Sequence, residues 1–134
     1  MIGHPAYPAE PWAIRETHFD PDFLAQSESI FALANGHLGL RGNLDEGEPR
    51  SISGMYLNGF YESYALEYGE RGFGWPEDGQ TIVPVPDGKV IRLLVEDEPF
   101  DVHRGRLERH ERVLDLRAGV LSREARWRSE SGRA

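Results

Sequence analysis

The sequence predicts a mainly β fold with few or no helices, and three observations carry that reading. Fifteen glycines and nine prolines in 134 residues interrupt the chain too often for long helices and favour short strands joined by turns. The dipeptides Asn35-Gly36 and Asp87-Gly88 are turn signals set between apolar runs. Alternation of apolar and polar side chains, the period of a strand, runs through residues 12–16 and again through residues 121–128.

Residues 1–11 carry Pro5, Pro8 and Pro11 and no periodicity, and are expected to be an extended, loosely held arm. In residues 12–19, Trp12, Ile14 and Glu16 share one face, which predicts a first strand ended by Asp20-Pro21-Asp22. Residues 23–27 are a short connection of about one helical turn. Residues 28–44 then give a strand with Ile30 to Leu33 buried, a turn at Asn35-Gly36, and a second strand. Gly39 and Gly42 suit close backbone approach or a bend. Arg41, among small residues, is placed to reach a carboxylate or main-chain carbonyls. Residues 45–49, with Asp45, Glu46 and Glu48, are read as an exposed acidic loop.

A strand is predicted at 53–58 with a bend near Gly59. Tyr56, Phe60, Tyr61, Tyr64 and Tyr68 are read as rings filling a β core, with hydroxyls reaching partners; stacking on sugar rings is the alternative. Residues 67–80 form a long glycine-rich loop. Residues 81–86, with Pro84 and Pro86, are an extended edge segment, because proline cannot donate to a ladder. Residues 90–95 make the clearest strand, apolar enough to be buried on both faces. Glu96-Asp97-Glu98-Pro99 turns the chain, and Phe100 and Val102 open the next strand. Residues 104–116 fit either a basic helix or a pair of strands. Leu116-Arg117-Ala118-Gly119 is a turn with Gly119 at positive φ. Leu121, Arg123, Ala125 and Trp127 then alternate with Ser122, Glu124, Arg126 and Arg128.

The bulk numbers narrow the function. The net charge is −8, which argues against a nucleic-acid protein. It is unevenly spread, with 6 Lys/Arg against 18 Asp/Glu in residues 1–102 and 9 Arg against 5 Asp/Glu in residues 103–134. The basic part is expected mainly to pair with its strand neighbours. Docking on the acidic part of the same or another copy is the alternative. There is no cysteine, so no disulfide, thiolate metal site or cysteine nucleophile is available. That composition is compatible with a cytoplasmic location, the one expected here. No apolar run reaches the roughly 18 residues of a membrane span.

Chemistry-bearing motifs are absent. Gly36, Gly39 and Gly42 do not make a phosphate-binding G-x-G-x-x-G. His4, His18, His37, His103 and His110 have no metal-ligand spacing, and His37 is read as a half-buried hydrogen-bonding residue. Ser51, Ser53 and Ser63 lack the G-x-S-x-G frame. The acidic clusters at 45–48 and 96–98 lie in turns and are read as solvated loops. No catalytic, cofactor-binding or metal-ligating residue is assigned.

Three segments in order, ESIFALANGHLGLRGNLDEGEP, GMYLNGFYES and GQTIVPVPDGKVIRLLVEDEPFD, resemble the N-terminal domain of family 65 glycoside hydrolases, the family of the maltose, trehalose and kojibiose phosphorylases. The resemblance runs from about Trp12 to Trp127. It implies an antiparallel β-sandwich, part of a galactose-mutarotase-like supersandwich, and it favours strands over a helix at 104–116. It implies a division into the arm, residues 1–11, and the first part of the sandwich, residues 12–134, with the catalytic helical (α/α) barrel absent. In the family that barrel carries the general-acid glutamate and, in phosphorylases, the phosphate site. Inorganic phosphate is then a co-substrate and no cofactor is needed.

The chain alone is therefore expected to be inactive. It would support the barrel of an inverting hydrolase or phosphorylase of α-glucosidic disaccharides, and the choice between those two lies in the barrel. Loops of this domain can lie against the barrel in the family, so Phe73 and Trp75 are candidates for a substrate-entrance loop. The family's sandwich is roughly twice this length, so the chain is expected to be a fragment with uncovered edges. A homo-oligomer is expected from that exposure. Expected partners are the parent enzyme's barrel and an α-glucoside, with no nucleic acid and no membrane. A freestanding carbohydrate-binding or structural interaction domain without catalysis is the rival reading.

Overall fold

A computed structural model describes residues 5–67 and 72–133. The strands are β1 (Ala9–Glu10), β2 (Ala13–Glu16), β3 (Leu33–Ala34), β4 (Leu38–Leu40), β5 (Met55–Ala65), β6 (Asp78–Pro84), β7 (Leu94–Val95), β8 (Glu98–Pro99), β9 (Arg106–Asp115) and β10 (Val120–Arg128), and one helix, α1 (Leu24–Ile30), lies between β2 and β3. Two four-stranded antiparallel sheets result, in the orders β1-β2-β9-β10 and β3-β4-β5-β6, with β7-β8 as a separate ribbon. This is the expected mainly β, sandwich-type architecture. No helix among the described residues is long and apolar enough to cross a membrane.

The first sheet begins with the arm. Residues 5–10 are not loose: Ala9 and Glu10 pair with Ile14 and Ala13, and Ala6 O accepts from Thr17 N at 3.1 Å. Trp12 lies between the two paired strands with φ +63°. It therefore leaves the expected Trp12–Ile14–Glu16 face and is exposed, with the Arg117 guanidinium 5.2 Å above its ring. Asp20 then caps a 3-10 turn at Pro21–Phe23, its Oδ1 accepting from Asp22 N.

The expected strand at 30–33 is a correction. Residues 24–30 are helical, and Leu24, Ser27, Glu28 and Phe31 are the buried positions. That spacing is i, i+3, i+4, i+7, a helical stripe. Two of its four members are polar, which is why an apolar reading misses it. The chain straightens only at β3, and Asn35-Gly36 turns it into β4 with Gly36 at φ +83°. Gly42 then passes so close to Phe31 that a Cβ would sit 2.5 Å from that side chain.

The bend at Gly59 is real. Its φ is +98°, and the β5–β6 register shifts between Tyr56 and Tyr61. β6 is an edge strand, which suits Pro84 at its end. Residues 90–95 are a second correction. Only Leu94–Val95 pairs, and Val90, Ile91, Leu93 and Leu94 are exposed, Ile91 by 68%. Ile91 N donates to Asp45 O at 2.7 Å, but among the described residues only β8 pairs with this segment, at Leu94–Val95, and its apolar side chains stay uncovered. The strand expected at Phe100 starts later, at Arg106.

From there the chain forms the long β9–β10 hairpin, with a bulge near Trp127. The 104–116 segment thus holds one strand, Arg106–Asp115, and no helix. The turn at 116–119 has Gly119 at φ +65°, and Asp115 Oδ1 accepts from Arg117 N and Ala118 N. The apolar core is small: Leu24, Phe31, Leu44, Leu114 and Trp127. Charged groups fill the rest of the interior.

Candidate functional site

The loop at 45–49 is not simply a solvated acidic cluster. Asp45 is exposed, but Glu46 and Glu48 are buried. Arg123, from the basic part of the chain, pairs with Glu46, whereas Glu48 pairs with Arg50 of the acidic part and with His103. Arg123 grips Glu46 with both terminal nitrogens, one of them at 2.9 Å, and the Arg123 guanidinium also lies 5.7 Å over the Phe100 ring. Glu48 accepts from Arg50 N at 2.7 Å and from Arg50 Nε at 3.1 Å, and His103 Nε2 lies 2.9 Å from it. The charge asymmetry of the sequence is therefore partly resolved inside one chain, across the two sheets.

A larger polar cluster centres on Glu16, which ends β2 and points inward. Its Oε2 accepts from Arg112 Nε at 2.7 Å and lies 2.9 Å from His110 Nε2. Its Oε1 accepts from Ser27 Oγ at 2.7 Å and from Tyr7 Oη at 3.0 Å. Burial alone would raise the Glu16 carboxyl, but the hydrogen bonds from His110 and Arg112, with the Arg112 charge, outweigh it and hold the carboxyl well below its ordinary value. An ionised carboxylate only accepts, so His110 carries its proton on Nε2. Burial raises the Tyr7 hydroxyl first, and the nearby Glu16 charge adds to that rise against the opposing Ser27 bond. Arg112 continues the network, donating to Gly42 O at 2.8 Å and lying 4.7 Å over the Phe31 ring.

This cluster joins the arm, β2, α1, β9 and the segment after β4. All acceptor directions of Glu16 are occupied, so the carboxylate is a clamp and holds no proton to give. Glu28 is bonded less completely. It is fully buried, and its Oε2 lies 3.5 Å from Arg41 and accepts from Ile52 N at 3.3 Å, whereas its Oε1 has no hydrogen-bond partner among the described residues. Arg41 also donates to Ala25 O, so it reaches both the carboxylate and the carbonyl expected of it. A glycosidase acid, unlike Glu16, sits in a setting that favours its neutral form.

The sequence gives only a faint sign of the Glu16 cluster. His110, Arg112 and Leu114 alternate on the inward face of β9, but two of the three are polar and read as solvent-facing. His37, read as half-buried, is exposed; its main chain bonds while its ring faces solvent, because it sits at the tip of the β3–β4 turn.

The other candidate surface is aromatic. Phe60, Tyr61 and Tyr64 on β5 are exposed, Phe60 by 57%. They do not fill a core, because no element among the described residues packs over them. Tyr68 lies outside the described residues. Tyr64 crosses onto Gly79 of β6, where a Cβ would fall 2.6 Å from its ring, a cross-strand pairing that fixes the ring. Of the two predicted entrance-loop residues, Phe73 is fully exposed and Trp75 is 52% exposed. The Trp75 ring lies against Gly72, where a Cβ would approach to 2.8 Å. A cleft of about 330 Å³ opens beside it, lined by Leu66, Glu67, Gly72, Trp75, Glu77 and Asp78 among others. The structure thus puts Trp75 at a cleft, with carboxylates around it, and outside the core.

Comparison with known proteins matches this geometry to a family. The model of the glycosyl hydrolase family 65 N-terminal domain matches residues 14–134. An uncharacterized glycosyl hydrolase of Mycobacterium tuberculosis is 62% identical over 133 residues, covering 99% of this chain and 17% of that protein. The alpha,alpha-trehalose phosphorylase of Thermoanaerobacter brockii is 44% identical, covering 96% of this chain and 17% of its own length. A solved chain from the human microbiome, assigned as a kojibiose phosphorylase, superposes with a TM-score of 0.76 at 32% identity, over 91% of this chain and 16% of its own. The chain thus spans about a sixth of the length of the relatives it matches. It belongs to glycosyl hydrolase family 65, as the N-terminal domain of that family.

Proposed function

We propose that this chain is the non-catalytic N-terminal β-domain of an enzyme that cleaves α-glucosidic disaccharides, by phosphorolysis or hydrolysis, and that its exposed aromatic and aliphatic surface packs against the rest of that enzyme. The observation that carries the reading is the run of large apolar side chains left open on β5, β6 and the 90–95 segment: Phe60, Tyr61, Tyr64, Ile82, Ile91 and Leu93. Such a surface is rarely left bare on a monomer. The relatives supply an occupant, because more than four-fifths of their length lies outside the matched region. Phosphate as co-substrate, a cytoplasmic location and self-association through the same surface belong to this proposal. Phe73 and Trp75 would border the substrate's path where the cleft at Trp75 meets the catalytic part.

A chimera tests it. The matched region of the trehalose phosphorylase from Thermoanaerobacter brockii is replaced by this chain, and release of glucose 1-phosphate is measured. Phosphorolysis is expected in the chimera and no turnover in the chain alone. Trp75→Ala in the chimera is expected to raise KM severalfold with little change in kcat, the mark of lost uniform binding. Turnover by the isolated chain would overturn the non-catalytic assignment, and unchanged kinetics in the Trp75 variant would remove that residue from the substrate's path.

The exposure of the same rings also suits a freestanding sugar-binding module. Saturable binding of trehalose or maltose by the chain alone, lost in Trp75→Ala, would favour that second reading.

A further inference from the structure

The chain has three asparagines, Asn35, Asn43 and Asn58, and two of them precede glycine. Glycine puts no side chain in the way of attack by its own backbone nitrogen on the preceding asparagine side chain. The structure separates the two Asn-Gly sites by the bond at the side-chain nitrogen and by place, Asn35-Gly36 lying in the β3–β4 turn and Asn58-Gly59 within β5.

At Asn35 the side-chain carbonyl Oδ1 accepts from His37 N at 3.0 Å and from Leu38 N at 2.9 Å. The ring closed by the first of these bonds contains both Cγ and the Gly36 nitrogen. Two backbone N–H groups therefore converge on the oxygen where negative charge would develop if Cγ were attacked, the arrangement of an oxyanion hole. Among the described residues, the Gly36 N–H and the Asn35 Nδ2 donate to no partner. Gly36 at φ +83° and Gly59 at φ +98° both have nothing within 4 Å of their Cβ positions, and both Asn-Gly pairs are exposed, so open space is common to the two sites.

Asn58 lies within β5 and is tied at the nitrogen that would leave, its Nδ2 donating to Gly36 O at 3.3 Å. Its Oδ1 accepts one bond, from Tyr61 Oη at 2.6 Å, where that of Asn35 accepts two from backbone N–H groups. The backbone N–H of each asparagine is bonded, Asn58 N to His37 O at 2.9 Å and Asn35 N to Leu38 O at 3.1 Å. Asn43 is held through Nδ2 by Ser51 Oγ and Ile52 O, and buried Leu44 follows it.

We propose that Asn35 is the chain's site of spontaneous deamidation, reacting ahead of Asn58. The Gly36 nitrogen bonds to Asn35 Cγ and loses its proton to solvent. The Cγ–Nδ2 bond breaks, and the nitrogen leaves as ammonia after taking up a proton. Water then opens the cyclic imide. Attack on the side-chain carbonyl gives aspartate, and attack on the main-chain carbonyl gives isoaspartate. Nothing is oxidised or reduced, and water is the one co-reactant. The aspartate form keeps the acceptor of the turn and adds a negative charge. The isoaspartate form lengthens the main chain between β3 and β4 and disturbs the Leu33–Leu40 and Ala34–Gly39 pairing.

The test is incubation of the folded chain at mildly alkaline pH, followed by peptide mapping and labelling with an isoaspartyl methyltransferase. Modification at Asn35 is expected severalfold faster than at Asn58, with Asn43 unchanged. In denaturant the gap between the two Asn-Gly sites is expected to close. Equal or faster modification of Asn58 in the folded chain would overturn the proposal. A gap that persists in denaturant would also overturn it, because local sequence and not the fold would then set the order.

Discussion

At Glu16 a carboxylate stays ionised although its side chain is only 2% exposed. The cost of removing it from water is offset by Arg112 and His110 at Oε2 and by Ser27 and Tyr7 at Oε1. Removing the charge and keeping the shape would leave Arg112 buried without its counter-ion. Glu16→Gln is therefore expected to lower unfolding free energy by about 3 kcal/mol, read from denaturant melts at neutral pH. The folded carboxyl lies below its ordinary value of 4.5. Its contribution is thus fully present above that pH and is lost as the pH falls toward the folded value. Melts across acid pH should show the wild type losing stability below about pH 4.5 and converging on the variant; a constant difference would contradict the assignment. In the sequence, Ile14 and Glu16 were legible as one strand face. Glu16 as its most buried member was not, because the partners that make burial tolerable lie 94 and 96 residues away.

Elements that carry their own turn chemistry were the ones visible in advance. The β9–β10 hairpin follows from Asp115 and Gly119 at its tip and from strict alternation in residues 121–128. Only the resemblance separated strand from helix on the first arm, because its charged residues blur either period. Gly119 at φ +65° marks a position where a side chain is strained by the backbone conformation, with open space around it. Gly119→Ala is expected to destabilise the chain by about 1 kcal/mol, seen as a shifted chemical midpoint with an unchanged slope. No shift would mean that the turn adopts another form. Helix α1 was hidden for a different reason. Its inward stripe is half polar, since Ser27 serves Glu16 and Glu28 serves Arg41. The 45–49 loop was misread likewise, because acids in a turn look solvated until a distant Arg123 is brought to them.

Across the whole molecule the interior and the surface exchange their usual roles. Salt bridges and hydrogen bonds occupy much of the inside, whereas Phe60, Tyr61, Tyr64, Trp75, Ile91 and Leu93 face outward. Their apolarity was legible in the sequence, and so was the expectation of burial for all but Trp75, which the sequence places in an entrance loop. What the sequence does not show is what covers them. Under the proposed function that inversion has a reason: a domain that is one part of a longer enzyme keeps apolar side chains for the part it meets. Hydroxyl-radical footprinting tests this most directly, comparing the phosphorylase chimera with the isolated chain at low concentration. The account predicts that Phe60, Tyr61 and Tyr64 are strongly protected in the chimera while Trp12 on the opposite sheet stays reactive. Equal labelling of the three rings in both proteins would contradict it.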